Sequence, residues 1–153
     1  MRYVFHQDET IRYRYPTHVN DLLYGREEAT ATETFIVVLE PGEAPPLHVH
    51  PDVEQVFFVM EGSGILQVGK GEEAQTFRLN PGDTARIPPH TYHSVRNDGE
   101  ANMRYVSIDA FAGPRLDDEP TWDSHAEALC KAQGWDFARV KLGRTRGAGS
   151  SAA

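Results

Sequence analysis

Turn signals recur at close, regular intervals through the middle of this chain, and that rhythm restricts its fold more than any other feature. Pro41-Gly42, Gly62-Ser63-Gly64, Gly69-Lys70-Gly71, Pro81-Gly82 and Asn97-Asp98-Gly99 each supply residues suited to a reversal. Between them lie short runs rich in β-branched and aromatic residues, among them TETFIVVLE, EQVFFVME and MRYVSIDAF. Strands are predicted near 2–6, 11–15, 34–40, 46–50, 54–60, 64–69, 75–79, 84–88, 92–97 and 103–109. So little chain separates them that helical crossovers have no room. The pattern predicts an all-β antiparallel sandwich or barrel.

After Gly113-Pro114 the character changes. Residues 124–133 read as a helix, with Ser124 and Glu127 as a capping box and Gly134 as its C-terminal stop. Trp122, Ala126, Leu129 and Cys130 form its buried face. Cys130 is the only cysteine, so no intramolecular disulfide can form and a packed, inert thiol is expected. The tail RTRGAGSSAA has the composition of a flexible segment. At 153 residues the chain suits one domain.

The net charge of −8 argues against nucleic acid or an anionic membrane as partner, since both demand clustered Lys and Arg. No run approaches the roughly 20 apolar residues of a membrane span. The opening MRYVFHQDET is polar and unlike a signal peptide, which predicts a cytoplasmic chain.

Four residues carry the chemistry. His48 and His50 stand two apart, so on a strand both face the same way and can grasp one ion. If Phe57 and Val59 face the interior, Gln55 does too and Glu54 faces out; this favours Gln55 as third ligand with Glu54 as competitor. His93 completes the set from a neighbouring strand. Farther along, Asp109 is a candidate general acid or base, Phe111 a pocket wall and Arg115 a clamp for a carboxylate. A surface ion pair between Asp109 and Arg115, with Phe111 in the core, is the competing reading. Tyr105 shares the parity of Asp109, and Arg86 lies on a strand beside the site; both are candidate substrate contacts. His6, His18 and His125 lack partners at ligand spacing and read as ordinary surface or half-buried residues.

The segments Gly42-x5-His48-x-His50-x4-Gln55-x6-Gly62 and Gly82-x5-Pro88-x4-His93-x3-Asn97 resemble the paired motifs of the cupin superfamily, small β-barrels that hold one metal ion. The resemblance implies a cupin-type double-stranded β-helix, or jelly-roll, over residues 34–112. Residues 1–33 would then be an N-terminal extension with edge strands, and 113–153 a C-terminal helix and tail. His48, His50, Gln55 and His93 fall on the ligand positions. The chain departs from the family twice, with Gln55 in place of the usual Glu and His90 in place of the usual Gly; His90 is read as surface. The ending Asp109-x-Phe111-x3-Arg115 is similar to that of cupins from pectin and alginate breakdown, which open an unsaturated uronate. That likeness implies a proton-moving Asp109 and a uronate-binding Arg115. The metal-dependent polyketide cyclases among cupins also use a Gln ligand.

An amide ligand leaves the ion's 2+ charge uncancelled, which favours Lewis-acid work over redox chemistry. Zn, Ni, Fe and Mn all suit such a set. The expected activity is therefore a metal-dependent enzyme acting on a small oxygen-rich, anionic substrate, as an isomerase, ring-opening enzyme or cyclase. A dioxygenase and a non-catalytic ligand-binding cupin are the alternatives. Val56, Phe58 and Met60 point away from Gln55 and need cover, for which a homodimer is the preferred expectation.

Overall fold

A computed structural model describes residues 1–115 and 118–145. The chain runs β1 (Thr10–Tyr15), β2 (His18–Tyr24), β3 (Thr32–Leu39), β4 (Val53–Glu61), β5 (Gly64–Val68), β6 (Gln75–Leu79), β7 (Thr84–Ile87), β8 (His93–Arg96) and β9 (Met103–Phe111), then α1 (Trp122–Gln133), α2 (Phe137–Val140) and β10 (Lys141–Thr145). A seven-stranded sheet has the order β10-β1-β2-β3-β9-β4-β7, and a three-stranded sheet the order β6-β5-β8. Every pairing is antiparallel. The two sheets face each other across one core, where Phe57, Val59 and Tyr105 of the larger pack with Leu66, Leu79 and Val95 of the smaller. Among the described residues no helix is long and apolar enough to cross a membrane.

Alternation along the central strands sorts the side chains. On β9, Met103, Tyr105, Ser107 and Asp109 are buried while Arg104, Val106 and Ile108 are half-buried. On β4 the buried set is Val53, Gln55, Phe57 and Val59. Register then assembles inward-facing rows across β3, β9 and β4: Val37–Tyr105–Val59, Phe35–Ser107–Phe57 and Glu33–Asp109–Gln55. The first is aromatic and aliphatic, the last wholly polar. The barrel therefore has an oily end and a charged end.

Three expectations need correction. Residues 2–6 form no strand; Phe5 instead lays its ring against Tyr24 at 5.0 Å on the outer face. Residues 46–50 form only an isolated bridge, His48 to His93, because Pro45, Pro46 and Pro51 remove the amide donors a ladder needs. The helix starts two residues early, with Thr121 as N-cap and Ser124 as its reciprocal partner in place of the Ser124–Glu127 pair. This shift lets Trp122 enter the first turn and bury its ring against Phe35 at 4.7 Å. Gly134 closes the helix in the left-handed conformation, and Trp122, Ala126 and Cys130 are its buried residues. Burial pushes the Cys130 thiol up, in keeping with inertness.

Two strands gave no sign in the sequence. β2 carries Asn20 and Asp21, turn formers by habit, yet Asp21 lies opposite Arg12 and accepts a fork of two hydrogen bonds at 2.8 Å each. β10 contains Gly143 at φ 80° and bulges at Leu142, since the adjacent Arg12 and Tyr13 of β1 face Gly143 and Lys141. Residues 146–153 of the tail lie outside the described residues.

Gly62 bounds the first motif for a steric reason. Its φ is 73°, and a Cβ there would stand 2.5 Å from the carbonyl oxygen of Asn102. Gly62→Ala should lower stability by more than about 1 kcal/mol, read as a reduced urea midpoint at unchanged slope.

Candidate metal centre

The charged end of the barrel gathers His48, His50 and His93, whose ligand nitrogens all lie within 4.8 Å of one another. One ion with bonds of about 2.1 Å can draw three nitrogens from such a spread. Backbone hydrogen bonds from His48 N to His93 O (3.2 Å) and His93 N to His48 O (2.9 Å) clamp the two motifs together. Each clamped ring is also oriented. His48 Nδ1 donates to the Pro46 carbonyl at 2.6 Å, and His93 Nδ1 to the Thr91 carbonyl at 2.8 Å. Both thereby keep the Nε2 lone pair free.

Burial favours the neutral imidazole throughout. It lowers His48, pushes His50 well below its ordinary value with help from the neighbouring histidines, and takes His93 to about 4 with a further contribution from His48. All three are thus deprotonated and ready as ligands at neutral pH.

Gln55 Oε1 sits 2.6 Å from His93 Nε2. Both atoms are acceptors, because the His93 proton is on Nδ1 and the Gln55 amide nitrogen donates elsewhere, to Asp109 Oδ1 at 2.7 Å. Two lone pairs face each other where a cation would satisfy both. The donor set fits a divalent ion held by His48, His50, His93 and the Gln55 amide oxygen.

Behind Gln55 lies a line of buried polar groups. Arg26 forks onto Glu33 at 2.8 and 2.9 Å, and Glu33 and Asp109 are opposite one another in register. Burial, then the hydrogen bond and charge of Glu33, push Asp109 well above the usual carboxylate range. Burial also pushes Glu33 up, but the hydrogen bond from Asp109 and the Arg26 fork outweigh it and hold Glu33 low. Burial and Glu33 thus favour the neutral form of Asp109, while Arg26 favours the ionised form of Glu33.

These residues open onto a cavity of about 330 Å³ that α1 also lines through Trp122, His125 and Leu129, with the His125 ring 6.4 Å from that of His50. Tyr105 and Asp109 line it; Phe111, Arg115 and Arg86 do not. Phe111 lies one row beyond Asp109, beneath the guanidinium groups of Arg26 and Arg115 at 5.0 and 5.6 Å. Arg115 donates through Nη1 to the Arg26 carbonyl. Arg86 occupies the outward parity of β7, is 67% exposed, and stands 3.6 Å from Glu54, itself turned outward. His90 is exposed, at φ 63°.

Several lining residues escaped sequence reasoning. His18 and His125, read there as ordinary, both face the cavity. His125 Nδ1 bonds Glu119 Oε1 at 2.6 Å, and the Glu119 carbonyl accepts from Arg26 at 3.1 Å. Arg26 and Glu33 were missed because they pair across seven residues of connection and strand. Only their alternation with Phe35 and Val37 could have hinted at Glu33.

Residues 35–109 match the family described as cupin domain. The Bacillus subtilis protein YrkC is 35% identical over 69 residues, covering 44% of this chain and 37% of its own length. The chain spans about half or less of the first curated relatives it matches. A Klebsiella pneumoniae protein with a double-stranded β-helix domain superposes with a TM-score of 0.62 at 22% identity, covering 74% of this chain and 93% of that one. KdgF from Halomonas sp. superposes with a TM-score of 0.56 at 21% identity, covering 71% and 90%.

Arg26→Ala should destabilise the fold by about 3–5 kcal/mol in urea titrations, since it strands the buried Glu33. For the metal, zinc competition titrations should show His93→Ala losing affinity by two orders of magnitude or more. Gln55→Glu should gain affinity by adding an anionic ligand.

Proposed function

The chain belongs to the cupin superfamily, and on that footing we propose that it is a metal-dependent enzyme acting on a small oxygen-rich anion by Lewis-acid chemistry, as an isomerase, ring-opening enzyme or cyclase. The observation that carries this reading is the locked amide of Gln55. With its nitrogen on Asp109 and its oxygen beside His93, it offers a neutral ligand. A divalent ion in this set keeps its full 2+ charge, and so polarises a carbonyl or hydroxyl oxygen and attracts an anion.

The protein's own groups supply proton transfer. Asp109, whose neutral form burial and Glu33 favour, lines the cavity and is the candidate proton donor. His125 lines the same cavity with its ring 6.4 Å from that of His50, and its Nδ1 is committed to Glu119, so Nε2 is the ring atom left for a bound molecule. Two groups able to carry a proton in one cavity suit a reaction that moves a proton from carbon or oxygen to a neighbouring atom. The likeness of the His-x-His-x4-Gln motif and the Asp109-x-Phe111-x3-Arg115 ending to the uronate-linearising cupins favours ring opening among the three. Phe111 and Arg115 enter this scheme only as supports for Arg26, through their ring and backbone contacts.

Phe58, 48% exposed between the half-buried Val56 and Met60, also supports a homodimer through the outer face of β4. Phe58→Glu should then shift the sedimentation coefficient of the protein from dimer to monomer.

An unsaturated monouronate, followed by loss of its enol-ether absorbance, tests the activity. Zinc-loaded protein should turn it over equally with and without oxygen, and His125→Ala should lower kcat by roughly two orders of magnitude at unchanged zinc content. Consumption of oxygen with turnover would transfer the reading to a dioxygenase.

A further inference from the structure

Among the described residues, three side-chain polar atoms are buried without a hydrogen-bond partner: Asn20 Oδ1, Ser107 Oγ and Trp122 Nε1. All three residues line the same cavity. Their exposures are 7%, 0% and 1%. Folded proteins leave few such atoms unpaired, because each costs its desolvation, so three on one wall call for an explanation.

They converge around Phe35. Ser107 is its partner in register on β9, and Asn20 is the partner of Val37, two residues along on the same face. Trp122 reaches Phe35 from α1, with ring centres 4.7 Å apart. The cluster offers one acceptor, one donor and one hydroxyl that can do either. Charged neighbours are already engaged: Arg26 with Glu33, His125 with Glu119, and Asp109 with Gln55. His18 is engaged too, with Thr17 at 2.9 Å. This wall is therefore suited to neutral hydroxyl and carbonyl groups, whereas the histidine end is suited to an oxyanion.

We propose that Asn20, Ser107 and Trp122 form a specificity subsite for the hydroxyl-bearing part of a small hydroxylated carboxylic acid whose carboxylate end lies at the histidine–glutamine centre. The proposal rests on that centre binding a metal. A cavity of about 330 Å³ is at the small end of ligand sites and fits a single-ring molecule. Asn20 and Trp122 lie outside residues 35–109, so β2 and α1 contribute selectivity that the shared barrel does not contain.

The test compares acids of one ring size with and without hydroxyls. Quinate and D-galacturonate are titrated against cyclohexanecarboxylate by calorimetry, using zinc-loaded protein whose zinc content is measured by elemental analysis. At least one hydroxylated acid should bind about tenfold or more tighter than cyclohexanecarboxylate. Ser107→Ala and Trp122→Phe should each erode that preference by roughly tenfold, the worth of one hydrogen bond, and leave cyclohexanecarboxylate binding unchanged. Ser107→Ala should also hold or raise the ligand-free Tm, since it deletes an unpaired atom. Equal affinities, absence of binding by both hydroxylated acids, an unchanged preference in the variants, or a lower Tm for Ser107→Ala would each overturn the subsite. Failure to retain zinc would instead overturn the reading of the metal centre beneath it.

Discussion

Everything at the charged end of this barrel depends on the register that sets Glu33, Asp109 and Gln55 side by side across three strands. A hydrogen-bonded row of this kind transmits orientation. Arg26 fixes Glu33 with two bonds, Glu33 hydrogen-bonds Asp109, and Asp109 accepts a hydrogen bond from the Gln55 amide. The amide therefore has one way to point, with its oxygen beside His93. A slip of one residue in either pairing would turn the row outward and exchange Gln55 for Glu54. Which side chain of β4 is presented to the histidines is thus a property of sheet register as much as of the side chain itself.

The parts outside the barrel complete the site. β2 brings His18 and Asn20 to the cavity wall, and α1 adds Trp122 and His125. The helix is tied down at its first turn, where the Trp122 amide donates to Glu27 at 2.9 Å and Thr121 exchanges bonds with Ser124. Tyr13 adds a hydrogen bond to Asp123 from β1. A roof secured at so many points is a fixed wall, and fixed walls suit discrimination by hydrogen-bond pattern. The histidine end of the cavity and the end lined by Asn20 and Trp122 thereby come from different stretches of chain.

Much of this was legible in the sequence, and the losses have physical causes. Strong β patterns gave β3, β4 and β9 nearly to their ends, because burial on one face forces alternation. The same parity separated Gln55 from Glu54. β2 was hidden because Asn20 and Asp21 have turn habits, overridden here by a cross-strand partner in Arg12 and a place on the cavity wall. His125 and Glu119 were hidden because contacts between α1 and the barrel have no periodic signature. Phe111 and Arg86 mark the limit of parity reasoning: it gives a face, but not whether a residue lies within the cavity or at its rim.

The neutral ligand also resolves a conflict inside the fold. A carboxylate at position 55 would lie against Asp109, which already faces Glu33, and would set three buried carboxyls against the single cation Arg26. Without an ion nearby, that charge would oppose folding. Glutamine keeps the metal end folded and oriented before any ion arrives, with its amide hydrogen satisfying Asp109 and its oxygen waiting at His93. On the proposed reading of Gln55 as a ligand, the cost would be a weaker grip on the metal and the gain an ion whose charge the protein does not cancel. Metal affinity and metal-free stability should therefore respond to Gln55→Glu with opposite signs. That opposition follows from the Glu33–Asp109 pair rather than from the ligand alone.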